Sequence, residues 1–357
     1  MVILLKNKVK MEIDEIKSGM ILASDIVSED TVLVTRGAII TDILIKKLKE
    51  KYILNNIEVF TSDNYITDSV NQDKAKAAED IQKSFNMFSS NVENIFHNIN
   101  NGNISDLTEV ENFAKKIKED MNSTRDVIKN IVFYGSGEDT IYRHSVNVAA
   151  LSSILGSWLG LTVHEIDLLT YSAILHDFGK TKISNDVLNK LGNLTKNDFK
   201  EIKKHPVLAY TSLKKVPNLD SSVSLGVLMH HERLDGSGYP FGIKQDQIHI
   251  FAKIIAIADT FDAINSNRSY KKSRGPFEAL EVIQKESLGK LDYEYCKVFL
   301  QHIINYYIGE SVLLNSNNIC KIIYIDINAL ENPLLIDGLE FIDLKQRKDL
   351  YIETLVL

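Results

Sequence analysis

Seven side chains of related chemistry, carried on a long run of helical pattern, restrict this chain more than any other feature. Five of its nine histidines form an ordered series with acidic partners: His144, His176-Asp177, His205-Pro206, His230-His231-Glu232 and Asp259. Neutral imidazole and carboxylate are ligand types that first-row transition metals prefer. Seven such groups exceed what one ion needs, so the economical reading is a multinuclear metal site. Sites of that kind commonly hydrolyse phosphate esters.

The series lies on successive helical patterns within 136–308. Asp139 or Thr140 opens one that runs to about Leu159, and Thr162 opens another through Leu168, Leu169, Ile174 and Leu175. Others cover 195–215, 221–231, 247–266 and 276–305, with Gly and Pro between them. Strands do not alternate with these helices, which argues against a parallel α/β sheet.

The flanks read differently. Residues 1–65 suit a small α+β unit, with β-branched runs at Val32–Val34 and Ile57–Phe60 and turns at Ser18-Gly19 and Arg36-Gly37. Thr41-Asp42 caps a short helix over Ile43–Tyr52, residues 1–10 read as a frayed extension, and patterning starts near Met11. A regulatory or docking unit and a plain structural appendage are equal readings. Residues 66–135 lack proline and space Ile81, Phe85, Phe88, Val92, Ile95, Phe96 and Ile99 at three- and four-residue steps, a helix of about seven turns. After Asn100–Asn103 a second helix starts at Ser105-Asp106, with Val110, Phe113, Ile117, Met121 and Ile128, giving a helical hairpin linker. Packing is its simplest role; carrying a signal or a homodimer interface is the other. From 309 to 357 the pattern turns β-rich, at Ile319–Ile327 and Leu350–Leu357. The expected class is mainly α: an all-helical catalytic domain over 136–308 with an N-terminal α+β domain, a hairpin linker and a short β-rich C-terminal tail.

A net charge of −7 argues against a DNA, RNA or membrane-surface binder, which normally carries a basic excess. No stretch approaches the roughly 20 apolar residues of a membrane span, and Val2–Leu5 is too short for a signal-peptide core. Cys296 and Cys320 lie far from the series and make neither a disulfide framework nor a cysteine zinc site. A cytoplasmic protein is expected. His97, His164, His249 and His302 read as ordinary core or surface histidines.

Adjacent helical side chains diverge by about 100°, so His176 and Asp177 can serve two ions, the carboxylate bridging both. His144 and Asp259 would complete one shell; His205, His230 and His231 the other. Two such cations can share a hydroxide nucleophile and clamp phosphoryl oxygens. Lys180, about one turn beyond His176, could set an ammonium against a non-bridging phosphate oxygen.

With these residues in view, the chain resembles the HD superfamily of metal-dependent phosphohydrolases and, within it, the HD-GYP phosphodiesterases of cyclic di-GMP. The matching stretches are His144–Ala149, Leu175–Lys180, His205-Pro206, His230–Pro240 (His-His-Glu-Arg-Leu-Asp-Gly-Ser-Gly-Tyr-Pro) and Ile257–Ala263, with Arg268–Lys271 a more variable element. The resemblance covers about 138–305. It implies an all-helical domain holding iron or manganese ions and hydrolysis of cyclic di-GMP to the linear dinucleotide pGpG, in some members on to GMP. It implies His144, His176, Asp177, His205, His230, His231 and Asp259 as metal ligands, Lys180 as phosphate contact, Arg268 and Lys271 as ligand contacts, and Tyr239 in a loop that shapes the site. Members with a third metal carry a glutamate four residues before the first histidine, where this chain has Thr140, so two divalent ions are expected. Arg268-Ser269-Tyr270 replaces the commoner Arg-Pro-Tyr. Residues 12–60 resemble a module often found ahead of such domains. Other substrates in the same class, cyclic GMP-AMP among them, remain open, as does a receptor that has lost catalysis. A diiron oxygenase is disfavoured by Lys180, Arg268 and Lys271.

Overall fold

Helix α3 (Ile141–Trp158) is apolar on nearly every face, and that composition forces neighbours onto it from all sides. In this computed structural model, residues 8–13, 15–17, 20–24, 26–28, 31–34, 40, 45, 56–60, 68–102, 124–134, 141–188, 190, 194–266, 276–338 and 340–356 are described. Around α3 pack α1 (Asp68–Asn100), α2 (Thr124–Tyr134), α4 (Val163–Leu175), α9 (Ile250–Ser266) and α11 (Tyr293–Ile303). A 3-10 turn (Phe178–Lys182) follows α4, then α5 (Asn185–Leu188), α6 (Lys196–Ile202), α7 (His205–Leu213) and α8 (Ser221–Met229), with α10 (Glu278–Glu286) after α9.

Local chemistry explains the boundaries. Thr162 and Glu165 form a reciprocal capping box at α4, and Thr195 with Asp198 does the same at α6. Asp220 and Asp292 cap α8 and α11 through their side chains. The helix expected over 195–215 is two helices. Pro206 lacks an N–H and sits in the first turn of α7, where that loss is tolerated. The one expected over 276–305 is also two, α10 and α11, parted by a segment in which Gly289 takes φ 133°.

Helix α1 is longer than its periodic stretch, 33 residues. Phe85, Phe88, Val92, Ile95, Phe96 and Ile99 are all buried, each such side chain stabilising by roughly 1.5–3 kcal/mol. Of the second hairpin helix, Val110, Phe113, Ile117 and Met121 lie outside the described residues, while Ile128 is buried on α2. Of Ile43–Tyr52 only Ile45 is described, and the turns at Ser18-Gly19 and Arg36-Gly37 also lie outside.

The N-terminal strands are β1 (Lys8–Glu12), β2 (Ile21–Leu22), β3 (Ile26–Ser28), β4 (Thr31–Val34) and β5 (Asn56–Phe60). The frayed extension expected over 1–10 is corrected in part: Lys8–Lys10 belong to β1, which pairs antiparallel with β5. That partner, far along the chain, satisfies their backbone groups. Ile16, Leu22, Ile26, Ile40, Ile57 and Val59 form this region's own apolar cluster.

At the other end β6 (Ser311–Leu314), β7 (Ile319–Asp326), β8 (Ala329–Asp337), β9 (Glu340–Asp343) and β10 (Ile352–Val356) make one antiparallel sheet in the order β10-β6-β7-β8-β9. It is more than a tail. Val312, Leu314, Ile322, Leu330 and Leu335 belong to the same buried core as the helices, and Gln284 of α10 donates to the Ile327 carbonyl at 2.5 Å. Both cysteines are buried and unpaired. Among the described residues no helix is long and apolar enough to cross a membrane.

Candidate metal centre

Three histidines reach the site by one local device. His176 and His230 occupy the C-cap positions of α4 and α8, and His205 follows the end of α6. Each turns its Nδ1 back onto the carbonyl three residues earlier: Ala173 at 2.7 Å, Val227 at 2.7 Å and Ile202 at 2.8 Å. Such carbonyls lack a helical partner. A carbonyl only accepts, so each Nδ1 carries the hydrogen, and in the neutral ring Nε2 presents its lone pair. All three rings are fully buried.

The remaining donors come from elsewhere in the bundle. His144 stands on α3 and Asp259 on α9, its Nε2 3.1 Å from Asp259 Oδ1. His231 follows His230 and directs Nδ1 toward Asp259 Oδ2 at 3.8 Å. Asp177 lies between the two sets. Its Oδ2 is 3.6 Å from His144 Nε2 and 3.5 Å from His176 Nε2, while its Oδ1 is 3.3 Å from His205 Nε2. The seven donors fall into two groups, Asp177–His205–His230–His231 and His144–His176–Asp259, each with its ligand atoms within 4.8 Å of one another.

This donor set fits cations. His205 Nε2 and His230 Nε2 face each other at 3.2 Å, and with both Nδ1 atoms donating elsewhere two lone pairs meet. Burial lowers the His205 pKa to about 4 and pushes His230 well below its ordinary value, so a shared proton is disfavoured. His176 Nε2 and Asp177 Oδ1 are buried atoms without a hydrogen-bond partner. A cation between these groups satisfies all of them. Burial alone would raise the Asp177 carboxyl, but Lys180 and the imidazoles outweigh it and hold it well below the carboxylate range. The Lys180 ammonium donates to Asp177 Oδ2 at 2.6 Å. His144 goes the other way. Burial opposes its charge, yet Asp259 and Asp262 overcome that and raise it to about 10, so a cation binding at Nε2 displaces a proton.

Two supporting carboxylates were present in the sequence motifs but had no role assigned there. Asp262, one turn after Asp259 and fully buried, accepts from His144 Nδ1 at 2.7 Å and from Asn147 Nδ2 at 2.8 Å, which aims Nε2 at the centre. Glu232, buried at 2% exposure, accepts from the backbone N–H groups of Phe241 at 2.7 Å and Ile243 at 3.2 Å. It folds the Asp235–Pro240 loop over the site. In that loop a Cβ on Gly238 would lie 2.4 Å from Arg233 N and 2.5 Å from His231 O, so only glycine fits. Tyr239 stacks on the His231 ring at 4.6 Å, and Lys203 stands 5.1 Å from the tyrosine centroid. Asp262 acts through partners distant in sequence and Glu232 through the backbone of the loop that follows it, and their only early signal is their place in the motifs. Arg268 and Lys271 lie outside the described residues, as do Glu138, Asp139 and Thr140. His97 pairs with Asn101, His249 accepts from Phe251 N, His302 stacks on Trp158 and His164 is exposed, so none joins the centre.

Proton competition gives the metal-free protein a distinct pH response. His176, His205, His230 and His231 have lowered values because burial disfavours their charged forms. The unfolded chain protonates them near pH 6.5 and the fold resists, so their contribution is full above about 6.5 and is lost as pH falls toward the folded values. Each adds a slope of up to about 1.4 kcal/mol per pH unit in that window. His144 has the opposite sign: its contribution is full below about 6.5 and fades as pH rises toward about 10. Chelator-treated protein should therefore melt at steadily lower temperature from about pH 6.5 to pH 5. A flat melting temperature across that range contradicts buried neutral rings.

Residues 122–294 match the model of the HD domain family. The chain is similar to the cyclic di-GMP phosphodiesterase PA4108 of Pseudomonas aeruginosa, 30% identical over 64% of this chain and 55% of that one. It is also similar to the 3'3'-cGAMP-specific phosphodiesterase 1 of Vibrio cholerae, 35% identical over 46% of this chain and 38% of that one. It thus spans about half the length, or less, of these curated relatives. Among solved structures, Bd1817, an HDG"Y"P protein from Bdellovibrio bacteriovorus, shares the fold with a TM-score of 0.51 at 20% identity, covering 83% of this chain and 99% of that one.

Proposed function

Residues 122–294 match the HD domain family, and on that premise we propose that the chain is a metal-dependent phosphodiesterase that hydrolyses cyclic di-GMP to linear pGpG. The observation that carries the reading is Asp177, whose two oxygens face two different sets of histidines. His144, His176 and Asp259 would hold one divalent ion, and His205, His230 and His231 the other, with Asp177 shared. Iron or manganese suits this mixture of imidazole and carboxylate. When bound, such a pair supplies an acidified water and neutralises charge on the phosphoryl oxygens.

The chain's own residues do the rest. Lys180 is already positioned by Asp177 and holds a positive charge beside the donor set, where it can meet the non-bridging oxygens of a phosphate diester. Arg268 and Lys271, from the segment after α9, are further substrate contacts. Water adds to phosphorus, the P–O3' bond breaks, and the 3' oxygen leaves with a proton, opening the ring to a 5'-phosphorylated dinucleotide. Tyr239 shapes the site. Its ring packs on His231, and burial raises its hydroxyl pKa and keeps it protonated. Tyr239→Phe should keep turnover within a few-fold, whereas removal of a general acid or base costs about 10²-fold or more. Complete inactivity of that variant would give the hydroxyl a chemical role.

The assignment is tested by anaerobic purification with metal counting, then product chromatography on cyclic di-GMP and cyclic GMP-AMP. Release of pGpG from cyclic di-GMP by protein holding about two ions per chain is the expected result. Faster turnover of cyclic GMP-AMP moves the assignment to that substrate, and metal-loaded protein inert on both overturns it.

A further inference from the structure

A line of hydrogen bonds runs inward to His144 from two helices that carry no metal donor. Gln82 of α1 accepts from Asn130 of α2 at 3.1 Å and from Arg143 Nη2 at 3.3 Å. Asn130 Oδ1 accepts from the same Nη2 at 2.6 Å, and Asn86 Oδ1 of α1 from Nη1 at 3.3 Å. The Arg143 guanidinium also lies over the Phe85 ring at 4.2 Å. Its Nε donates to Asn147 Oδ1 at 3.2 Å. Asn147 Nδ2 then donates to Asp262 Oδ1 at 2.8 Å, and Asp262 Oδ2 takes the His144 Nδ1 hydrogen at 2.7 Å. Arg143, Asn147 and Asp262 are all at most 3% exposed.

From this geometry we propose that Arg143 and Asn147 are positioning residues for the His144–His176–Asp259 half of the centre. An amide is symmetric in shape but not in chemistry. Its oxygen must face a donor and its nitrogen an acceptor, so Arg143 fixes which end of Asn147 meets Asp262. Asn147 in turn occupies Asp262 Oδ1, while Oδ2 takes the imidazole hydrogen and a longer bond from Ser266 Oγ at 3.4 Å. Without Asn147 the carboxylate loses its 2.8 Å donor at Oδ1, and the tautomer and aim of the His144 ring are held less firmly. A buried charge such as Arg143 is expensive to keep in the fold. Its position one residue before His144, with polar side chains from the middle of α1 and from α2 gathered on it, makes it the anchor of that line. The second half, His205, His230 and His231, is held by the 3-10 turn, α7 and α8 and receives none of these bonds.

The inference rests on reading the seven donors as a two-ion site, and Mn²⁺ titration separates the two claims. Wild-type protein should bind two equivalents and give the electron paramagnetic resonance signature of a coupled pair. Wild type that binds no Mn²⁺ sinks the two-ion reading itself. Asn147→Ala is expected to weaken one equivalent about tenfold and leave the other unchanged, so that at limiting Mn²⁺ the spectrum becomes that of isolated ions. Arg143→Lys, which keeps the charge but removes the fork, should shift the same equivalent in the same direction by a smaller factor. Circular dichroism melts confirm that both variants are folded. A general structural defect would weaken both equivalents together. Wild-type affinities in both variants, or equal loss at both sites, would overturn the positioning role while the metal site stands.

Discussion

Asp177→Ala should purify with neither ion and show at least about 10³-fold lower turnover, some 4 kcal/mol of transition-state stabilisation. The size of the effect follows from where the carboxylate sits. One oxygen faces His144 and His176, the other faces His205, and Lys180 is bound to the first. Among the described residues, alanine removes the only group that touches both donor sets through separate oxygens at 3.6 Å or less. It also leaves the Lys180 ammonium without its 2.6 Å partner, and an uncompensated, largely buried charge is strongly destabilising. The metal-free variant should consequently melt below metal-free wild type. Metal counting after anaerobic purification, alongside product chromatography, checks both parts. Full hydrolysis by Asp177→Ala would reject a shared bridge, and loss of one ion alone would reassign the carboxylate to a single site.

Much of this centre was legible in the sequence because ligand chemistry belongs to residue types. His144, His176, Asp177, His205, His230, His231 and Asp259 could be named without coordinates, and the structure brings all seven together. What could not be read is the way these seven side chains are held. The three Nδ1-to-carbonyl bonds depend on each helix ending at the right residue, which propensity locates only to within a residue or two. The bond from His144 to Asp262 joins positions 118 residues apart, and no local pattern signals it. The same limit explains the fold. Helices with strong caps, such as Thr162 with Glu165, were visible. The strands β1, β2, β3, β6, β8 and β9 were not, because a short strand is stabilised by partners and burial more than by its own residues. The C-terminal sheet looked like a tail since nothing in Val312 or Leu335 says that its neighbours are helices.

Gly179→Ala tests the other half of the centre with a single carbon. A Cβ at Gly179 would lie 1.9 Å from the His205 carbonyl oxygen, 2.7 Å from its carbon and 2.9 Å from Ala209 N. These are backbone atoms of α7, so no side chain can swing aside, and the 3-10 turn and α7 must separate by about 1 Å. Overpacking of that kind costs about 1–3 kcal/mol. The functional consequence is larger, because the displaced residue is itself one of the proposed ligands. Moving His205 breaks its registry with Asp177 Oδ1 at 3.3 Å and His230 Nε2 at 3.2 Å, while coordination tolerates only about 0.2 Å. Metal content should fall from two ions to one, with His144, His176 and Asp259 keeping theirs, and turnover should drop about 10²-fold or more as the in-line clamp is lost. Gly156→Ala is the matched control. Its nearest neighbours are the tips of Leu169 at 2.9 Å and Leu161 at 3.3 Å, which can turn away, and alanine favours the helix by up to about 1 kcal/mol. That variant should keep both ions and near-normal turnover. If Gly179→Ala matched it, the contact between the 3-10 turn and α7 would be looser than the backbone atoms place it, and His205 would owe its position to α7 alone.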